Sequence, residues 1–595
     1  MTRTPLRPLA RILEARRRGE NPDAIERENL RLRDETTRDR ARGRAQLRLV
    51  FLAMSFFAAF GLIGARMGML AATLPTEPRT ASAGAEILTS RADITDRNGR
   101  LLATNMLTHA LYVQTRDLID PARVARELGV IFPELNAEDL QRRFTDGRSF
   151  LWVRRVLSPE QMQQVQDIGD PGLLFGPREM RLYPNGTLAA HVLGGASFGA
   201  EGVDSAEVIG TAGIEKAMDL RLRDPAQAGL PLQLSLDLTV QAAIEEVLAT
   251  GMSMMNAKGA AAILMDVHTG EIISLASLPN FDPNDRPSLP TSGEPADSPL
   301  FNRAVQGVYE LGSTFKIFAA AQAMDLGLVN PETLVDANAP MRHGKFLIKE
   351  FENHNYGPLL SVSDIITKSS NVGTAHMAMM IGSERQQAFL KSLGLLDAAP
   401  VELIEAPGAK PLVPPRWPEI VTITASYGHG ISSSPLNLAT AYAIIANGGT
   451  VIRPTLLRGQ TPPSGVRVMR ADTAAAAVAM LRRVVTEGTA SLGEVPGYAV
   501  AGKTGTADKT KKGGGYYKDK VINTFAATFP ANDPQYVLVV TMDEPVETSG
   551  PKPRRTAGWT SVPVAAEVIR RVAPLLGMRP QVEAAPLDGL TAVNN

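Results

Sequence analysis

The chain has 595 residues, of which 44% are hydrophobic, so it is long enough for two or three domains with separate cores. It contains no cysteine, which excludes disulfide bonds, a thiolate nucleophile and cysteine-ligated zinc. Its 62 basic and 62 acidic residues give a formal net charge of zero, which argues against nucleic acid as the main partner.

The N-terminal segment places basic charge directly before a long apolar run. Residues 1–48 hold 14 Arg against 8 Asp or Glu, and Leu49 to Ala65 follows without a charge. As a helix this run would extend ~25 Å, and the sequence is apolar again from Met67 to Leu74. We therefore predict a cytoplasmic basic tail over residues 1–48, a transmembrane signal anchor over 49–74 and an external remainder. A cleaved signal peptide is the alternative, with Ala81-Ser82-Ala83 as the cleavage site, but the leader is far longer than a normal one.

Residues 75–230 carry no catalytic pattern that points to a site. Residues 75–90 are small and polar, which is typical of a linker. The following stretch alternates short strand-like and helix-like pieces with turn signals such as Asp96-Arg97-Asn98-Gly99. We interpret 75–230 as a non-catalytic module.

From Leu232 onward the pattern is that of a mixed domain, over residues 231–578. Residues 239–250 predict a helix, and strands are predicted at 260–266, 271–277, 498–506, 521–529 and 535–542. Strands at both ends of a helical middle, joined as hairpins, indicate an α+β architecture with an antiparallel sheet packed by helices. Lys509 to Lys520 is predicted to be a mobile loop, and residues 579–595 a disordered tail.

A candidate nucleophile occurs in the sequence Gly312-Ser313-Thr314-Phe315-Lys316. Good helix formers continue to Gly327, so the segment predicts a short buried helix with Ser313 and Lys316 on one face. Burial would lower the lysine pKa toward neutrality, and a neutral amine activates a neighbouring serine as a nucleophile. Alone this S-x-x-K pattern is weak, because about two chance matches are expected in a chain of this length.

Two further motifs follow in a fixed order. In Ser369-Ser370-Asn371 a hydroxyl could relay a proton and an amide could hold a substrate peptide group. Lys503-Thr504-Gly505-Thr506 lies on a predicted strand, where the lysine and hydroxyls could bind a carboxylate and the glycine admits a substrate backbone. The order S-x-x-K, S-x-N, K-T-G is that of penicillin-binding proteins and β-lactamases, with Ser370 in the place of Asp.

With these motifs the chain resembles the class B penicillin-binding proteins. The similarity extends to four other segments, namely Arg91 to Gly99, Gly213-Ile-Glu-Lys216, Tyr427-Gly-His-Gly-Ile431 and Ala446-Asn-Gly-Gly449. The Ser-Ser-Asn variant resembles the division-specific, FtsI-type branch. The resemblance implies a β-lactamase-like transpeptidase domain with a five-stranded antiparallel sheet, preceded by an elongated α+β pedestal of the dimerisation type. Leu311 departs from the family pattern, which more often has Pro there.

The resemblance implies a peptidoglycan D,D-transpeptidase that cross-links septal stem peptides through a serine acyl-enzyme. Lys316 would take the proton of Ser313, and Ser369 would pass a proton to the departing D-alanine. The backbone N–H groups of Ser313 and Thr506 would form the oxyanion hole. The implied catalytic residues are Ser313, Lys316, Ser369, Asn371 and Lys503, and the implied substrate-binding residues are Ser370, Asn371, Lys503, Thr504, Gly505 and Thr506. No metal and no organic cofactor is implied.

The resemblance also implies partners and a location. The partners are stem peptides ending in D-Ala-D-Ala, glycan strands derived from lipid-linked precursors, β-lactam antibiotics, a polytopic glycosyltransferase of the division machinery and other division proteins. The location is the inner membrane at the septum, with a single span, a cytoplasmic N-terminus and a periplasmic catalytic domain.

Several other functions remain open at this point. The same fold would suit an elongation-specific transpeptidase, a D,D-carboxypeptidase or a β-lactamase, although no E-x-x-L-N stretch lies between Asn371 and Lys503 to position a deacylating water. A division scaffold or cell-wall peptide receptor is the non-enzymatic alternative. Residues 497–504 match a P-loop, but their strand-like run lies inside the motif rather than before it. Gly195-Ala-Ser197-Phe-Gly199 matches a nucleophile elbow, but loop residues follow it.

Overall fold

The computed structural model describes residues 7–72, 91–201, 206–227, 229–459, 465–511 and 513–581. The predicted linker over 75–90, the Ala81-Ser82-Ala83 site and residues 582–595 of the predicted tail lie outside the described residues. The described part divides into two compact units. The first comprises residues 7–72, 112–152 and 165–174, and the second comprises 91–111, 153–164 and 175–581 with the gaps given above.

In the first unit the N-terminal region is helical. Helix α1 spans Arg7–Arg18 and helix α2 spans Pro22–Ala72. Within α2 the 22 residues Gln46–Met67 are long and apolar enough to cross a membrane, and the side chains of this window are exposed. A helix of that length rises about 33 Å, slightly more than the hydrocarbon core of a bilayer. The helix therefore fits a single-pass membrane protein.

The rest of the first unit packs two short helices beside an aromatic cluster. Helices α3 (Pro121–Ile131) and α4 (Ala137–Thr145) begin at Asp120 and Asn136, whose side chains accept hydrogen bonds from the first-turn N–H groups. The rings of Tyr112, Phe150 and Trp152 lie 5.0 to 5.5 Å apart in stacked and edge-on pairs.

Between residues 91 and 233, the described part of the chain contains seven strands and, besides α3 and α4, four short helices. The strands are β1 (Ile94–Thr95), β2 (Leu101–Val113), β3 (Leu151–Leu157), β4 (Leu173–Leu182), β5 (Gly195–Glu201), β6 (Ala206–Ala212) and β7 (Leu232–Gln233). The helices are α5 (Pro159–Asp167), α6 (Ala190–Leu193), α7 (Gly213–Ala217) and α8 (Asp219–Leu222). Strand β2 pairs with β1, β3 and β4, and β1 also pairs with β7 in parallel. Since β5 and β6 form a hairpin, Ser197 lies in a strand and not at a strand-to-helix elbow.

A buried ionic cluster ties this region together. The guanidinium of Arg91 contacts Glu215 at 2.6 Å and Asp219 at 2.7 Å, and Arg181 contacts the second oxygen of Glu215 at 2.7 Å. Arg91 and Glu215 have almost no solvent exposure, so these charges are compensated by one another rather than by water.

The second unit contains a five-stranded antiparallel sheet, as predicted. From residue 234 onward the described residues form nine strands, which in chain order are β8 (Gly259–Asp266), β9 (Ile272–Leu278), β10 (Leu334–Asp336), β11 (Met341–His343), β12 (Phe346–Ile348), β13 (Leu359–Ser361), β14 (Ala501–Thr510), β15 (Tyr516–Phe529) and β16 (Tyr536–Asp543). The main sheet has the order β14-β15-β16-β8-β9, which leaves β14 at one edge. The predicted loop from Lys509 to Lys520 is too long, because the β14–β15 ladder continues to the pair Thr510 and Tyr516. Lys509 holds this end of the hairpin through hydrogen bonds to Asp543 and Glu544.

From residue 234 onward the described residues form nine helices, several of which pack against this sheet and supply much of the core. They are α9 (Leu238–Met254), α10 (Lys316–Asp325), α11 (Val362–Lys368), α12 (Asn371–Ile381), α13 (Ser383–Ser392), α14 (Glu419–Ser426), α15 (Pro435–Ala446), α16 (Ala471–Thr486) and α17 (Ser561–Leu575). Helix α15 is buried along its whole length, which explains why its sequence is apolar on every face. The fold thus has the predicted α+β architecture.

Candidate active site

The candidate nucleophile lies in a tight turn at the start of a buried helix. Residues Gly312–Phe315 form a 3-10 turn, and α10 continues from Lys316. The predicted α-helical start at Ser313 is therefore wrong by one turn. In a 3-10 turn the side chains at i and i+3 eclipse, which still directs Ser313 and Lys316 to the same side. The hydroxyl of Tyr442, on helix α15, donates a hydrogen bond to the Thr314 carbonyl at 2.8 Å and so holds the turn in place.

Lys316 is fully buried, and its amine has specific partners. Its Nζ donates to the Ser369 carbonyl and, at 3.1 Å, to the Ser369 hydroxyl. Burial lowers the pKa of Lys316 to about 7, although the negative charge of Glu350 opposes the shift. A large fraction of this amine is consequently neutral near pH 7, which is the state that a general base requires.

The Ser369-Ser370-Asn371 motif is the junction between two helices. Ser369 ends α11 in the left-handed region, at φ 63° and ψ 42°, a conformation that costs a non-glycine residue ~1 kcal/mol or more. Ser370 begins α12, and its hydroxyl accepts a hydrogen bond from the Gly373 N–H at 3.0 Å. The strained junction turns the Ser369 hydroxyl toward the two buried lysines.

Lys503 reaches the same hydroxyl from the opposite side. It is fully buried on β14, and its Nζ lies 3.0 Å from the Ser369 Oγ and 3.2 Å from the Thr504 carbonyl. Burial, and then the charge of Lys316, hold the pKa of Lys503 well below its usual range. Two ammonium groups around one hydroxyl repel each other, so these lysines titrate as a coupled pair. Because the Ser369 hydroxyl is hydrogen-bonded to both amines, it can transfer a proton between Lys316 and Lys503.

The edge strand β14 lies directly against the nucleophile turn. A Cβ added to Gly505 would overlap the Leu311 carbonyl oxygen, and one added to Gly312 would lie 2.9 Å from the Thr506 carbonyl oxygen. Glycine at both positions therefore permits the two backbones to touch. An unpaired edge beside a nucleophile can accept an extended peptide as an additional strand.

The threonines of β14 have partners on its other neighbours. The Thr504 hydroxyl lies 2.7 Å from that of Thr489, and the Thr506 Oγ accepts a hydrogen bond from the Ala557 N–H at 2.9 Å. Hydrogen bonds and close backbone contacts therefore link the nucleophile turn, the Ser369-Ser370-Asn371 junction and strand β14. Leu311, the departure from the family pattern, has a buried side chain, and its carbonyl accepts a hydrogen bond from the Thr314 hydroxyl at 2.9 Å.

Glu350 is a site residue that no sequence motif identifies. Its buried carboxylate accepts hydrogen bonds from the Ser370 hydroxyl at 2.6 Å, the Asn371 N–H at 2.7 Å and the Val372 N–H at 3.1 Å. The Asn371 side chain meanwhile donates to the Lys349 carbonyl at 2.8 Å. A single Glu in a loop has no signature of its own, so only the fold identifies this role.

The site has little in common with a metal centre or a P-loop. In the part of the chain that the structure describes, no group of three His, Asp or Glu side chains is arranged to hold a metal ion. Lys503 lies inside strand β14, whereas the lysine of a P-loop opens a helix. The arrangement is instead suited to attack by an activated serine on an extended peptide.

The chain is similar to known proteins both in its family matches and over most of its length. Residues 260–569 match the family "Penicillin binding protein transpeptidase domain", and residues 86–226 match "Penicillin-binding Protein dimerisation domain". The chain is 35% identical to the "Probable peptidoglycan D,D-transpeptidase FtsI" of Caulobacter vibrioides, over 92% of each chain. It is 28% identical to the "Peptidoglycan D,D-transpeptidase FtsI" of Escherichia coli K12, over 77% of this chain and 80% of that one.

A solved structure has the same fold. Penicillin-binding protein 3 of Mycobacterium tuberculosis in complex with ampicillin superimposes with a TM-score of 0.64 at 24% identity, over 84% of this chain and 98% of that chain.

Proposed function

Because the chain belongs to the class B penicillin-binding proteins of the FtsI type and is a peptidoglycan D,D-transpeptidase, we propose that Ser313 is its nucleophile. The observation that carries the proposal is the Ser369 hydroxyl, which is bonded to both buried lysines, Lys316 and Lys503. Such an arrangement serves to move protons between a nucleophile and a leaving group.

In the first half of the reaction, the neutral Lys316 amine takes the proton of the Ser313 hydroxyl. The serine oxygen attacks the carbonyl between the two D-alanines of a stem peptide, and the N–H groups of Ser313 and Thr506 bind the resulting oxyanion. The peptide C–N bond then breaks, and Ser369 passes a proton to the departing amine while a lysine replaces the proton that Ser369 loses. The products are free D-alanine and an ester of Ser313.

In the second half, the amine of another stem peptide attacks the ester. A new peptide bond forms, the Ser313 oxygen leaves, and the proton from the amine returns to that oxygen through the same groups. The result is a cross-link with no net consumption of the enzyme. Lys503, Thr504 and Thr506 bind the terminal carboxylate of the donor, Asn371 holds its peptide group, and Ser370 supports Asn371 through Glu350. Gly505 keeps the strand close to the substrate backbone.

β-Lactams enter the same site and acylate Ser313. This proposal is supported by the Mycobacterium tuberculosis structures of the same fold, which are complexes with aztreonam and ampicillin. A β-lactamase or D,D-carboxypeptidase would instead hydrolyse its acyl-enzyme rapidly. A scaffold or receptor would form no adduct at all. An elongation-specific enzyme would share the chemistry, but the similarity to FtsI proteins favours division.

The domain division and the cellular setting are also proposals. We infer a pedestal over residues 75–230 and a transpeptidase domain over 231–578, in accord with the family matches at 86–226 and 260–569. The apolar window of α2, with arginines before it, favours a cytoplasmic N-terminus and a periplasmic catalytic domain. The partners are the polytopic glycosyltransferase and other proteins of the division septum.

The experiment is labelling of the full-length protein with a fluorescent penicillin, followed by mass mapping of the modified peptide. We expect one stable adduct on the peptide that contains Ser313. Ser313→Ala abolishes it, whereas Ser197→Ala, at the decoy elbow motif, leaves it unchanged. An adduct on any other peptide overturns the assignment of the nucleophile, and rapid release of the label favours the hydrolase alternatives.

A further inference from the structure

A second polar cluster lies three residues before the nucleophile, around the buried carboxylate of Glu310. Its Oε1 accepts hydrogen bonds from the Gly430 N–H at 3.0 Å and from the Tyr516 hydroxyl at 2.9 Å. Its Oε2 lies 3.1 Å from the His429 Nδ1. The Nε2 of His429 lies 3.2 Å from the Tyr516 hydroxyl, and the two rings are stacked at 5.0 Å.

The cluster joins three separate stretches of the chain. Glu310 belongs to the nucleophile segment, His429 and Gly430 to a loop, and Tyr516 to the first position of β15. The loop also touches the nucleophile turn directly, because the Gly312 N–H donates to the Gly428 carbonyl at 3.2 Å. Tyr516 pairs with Thr510 at the C-terminal end of β14. A displacement of Tyr516 therefore also displaces this end of the edge strand.

The link between the nucleophile segment and β14 affects the geometry of the proposed oxyanion hole. Its two N–H groups, on Ser313 and Thr506, come from different segments and must point at one oxygen from about 3 Å. Lys503 anchors the start of β14 through Ser369. The Glu310 cluster anchors the other end of the strand to the segment that carries the nucleophile.

We propose that Glu310, His429 and Tyr516 form a clasp that sets the spacing between Ser313 and the edge strand β14, and thereby the rate of acylation. The three are positioning residues, and the inference rests on the proposed function of Ser313. Neither His429 nor Tyr516 is part of the core, since His429 is nearly half exposed and Tyr516 is partly exposed.

The charges around His429 make the clasp dependent on pH. The Glu310 hydrogen bond raises the pKa of His429, partial burial opposes this, and the charges of Glu310 and Asp508 raise it further. The other titratable groups facing the ring are phenols: burial raises the pKa of Tyr427 to about 12 and also raises that of Tyr516. Within the clasp, the imidazolium form of His429 therefore makes the stronger bond to Glu310.

His429 adds its own titration to that of the coupled lysines Lys316 and Lys503 in the pH profile of acylation. Lys316, with a pKa of about 7, must lose its proton, so the rate rises with pH through that value. His429 must keep its proton, so the rate falls as pH rises through its own raised pKa. The expected profile for the wild-type protein is a bell.

The test is stopped-flow acylation of the full-length protein in detergent by a fluorescent penicillin, at several concentrations and across pH. The variants are His429→Gln and Tyr516→Phe. The matched controls are His268→Gln, at an exposed turn residue, and Tyr517→Phe, at the next residue of β15. Thermal unfolding of each variant is recorded in parallel.

We expect both clasp variants to lower the limiting acylation rate by about 10- to 100-fold, as a displacement of reacting groups would, with the apparent binding constant changed by about twofold or less. In His429→Gln the descending limb moves to higher pH or disappears, while the limb due to Lys316 remains. The controls keep the wild-type rate and the bell. If the descending limb of His429→Gln coincides with that of the wild type, or if Tyr516→Phe acylates like Tyr517→Phe, the clasp is refuted while Ser313 remains the nucleophile. If the wild-type protein forms no penicillin adduct, both the assignment of Ser313 as the nucleophile and the clasp are refuted.

Discussion

Glu350→Gln separates the structural role of Glu350 from its electrostatic role. The substitution preserves the shape of the side chain but removes its negative charge. In the native site the carboxylate accepts three hydrogen bonds, at 2.6, 2.7 and 3.1 Å, from the segment Ser370 to Val372. With glutamine, the two bonds to Oε1 become neutral, and the new NH2 group faces the Asn371 N–H.

The expected cost follows from these contacts. A buried hydrogen bond to a charged acceptor contributes ~1.5–3 kcal/mol, a neutral one ~0.5–1.5, and a buried donor left without an acceptor costs ~1–3 kcal/mol. Two weakened bonds and one lost bond together lower the free energy of unfolding by about 2–4 kcal/mol, after allowance for the easier burial of a neutral group. The charge of Glu350 also raises the pKa of Lys316 against the effect of burial. Its removal shifts that pKa, and the ascending limb of acylation, to lower pH.

The assay combines urea unfolding with the pH dependence of penicillin acylation. Glu352→Gln, at an exposed residue two positions along the same loop, is the control and should change neither quantity. A limb that stays at the wild-type pH, or that moves to higher pH, would refute the electrostatic coupling between Glu350 and Lys316. Unchanged stability would refute the role of Glu350 in holding the Ser370 turn.

Three further predictions concern other parts of the chain. Gly505→Ala should abolish acylation at nearly unchanged far-ultraviolet circular dichroism, because its Cβ would overlap the Leu311 carbonyl oxygen and separate β14 from the nucleophile turn; normal labelling would contradict this. The pKa of Lys316 is lowered from 10.5 to about 7, so the folded state binds fewer protons than the unfolded state between these values and stability rises with pH across that window. Lys316→Met should gain up to about 5 kcal/mol at pH 7 and lose part of the slope, as unfolding titrations would detect, since each pKa unit is worth ~1.4 kcal/mol. Arg91→Ala leaves the buried carboxylate of Glu215 with one guanidinium fewer, at a cost of about 3–5 kcal/mol, whereas Arg142→Ala, at an exposed ion pair, should cost under about 1 kcal/mol in the same measurement.

Local patterns were enough to predict several parts of this protein. The apolar run after an arginine-rich segment predicted one membrane-spanning helix, and α2 contains it. Alternating residues on either side of short turns predicted the hairpin of β8 and β9 and the strands of the main sheet, because the side-chain period of a strand is visible in the sequence. The three motifs named the candidate residues Ser313, Ser369 and Lys503, since each motif is contiguous and its order along the chain is distinctive.

What the sequence could not supply depends on contacts between distant residues. The single hydroxyl of Ser369 between Lys316 and Lys503, the lowered pKa of Lys503 and the support from Glu350 all arise from burial and from distances that the fold creates. The true extent of the β14–β15 hairpin was hidden for a similar reason, because its glycine- and lysine-rich end is held by Asp543 and Glu544 of another strand region rather than by its own strand propensity. The sequence alone thus determined which groups are available for chemistry, because motifs and periodicity are local. Only the tertiary structure decided which of these groups meet and in what charge state, because desolvation and long-range hydrogen bonds exist only in the packed molecule.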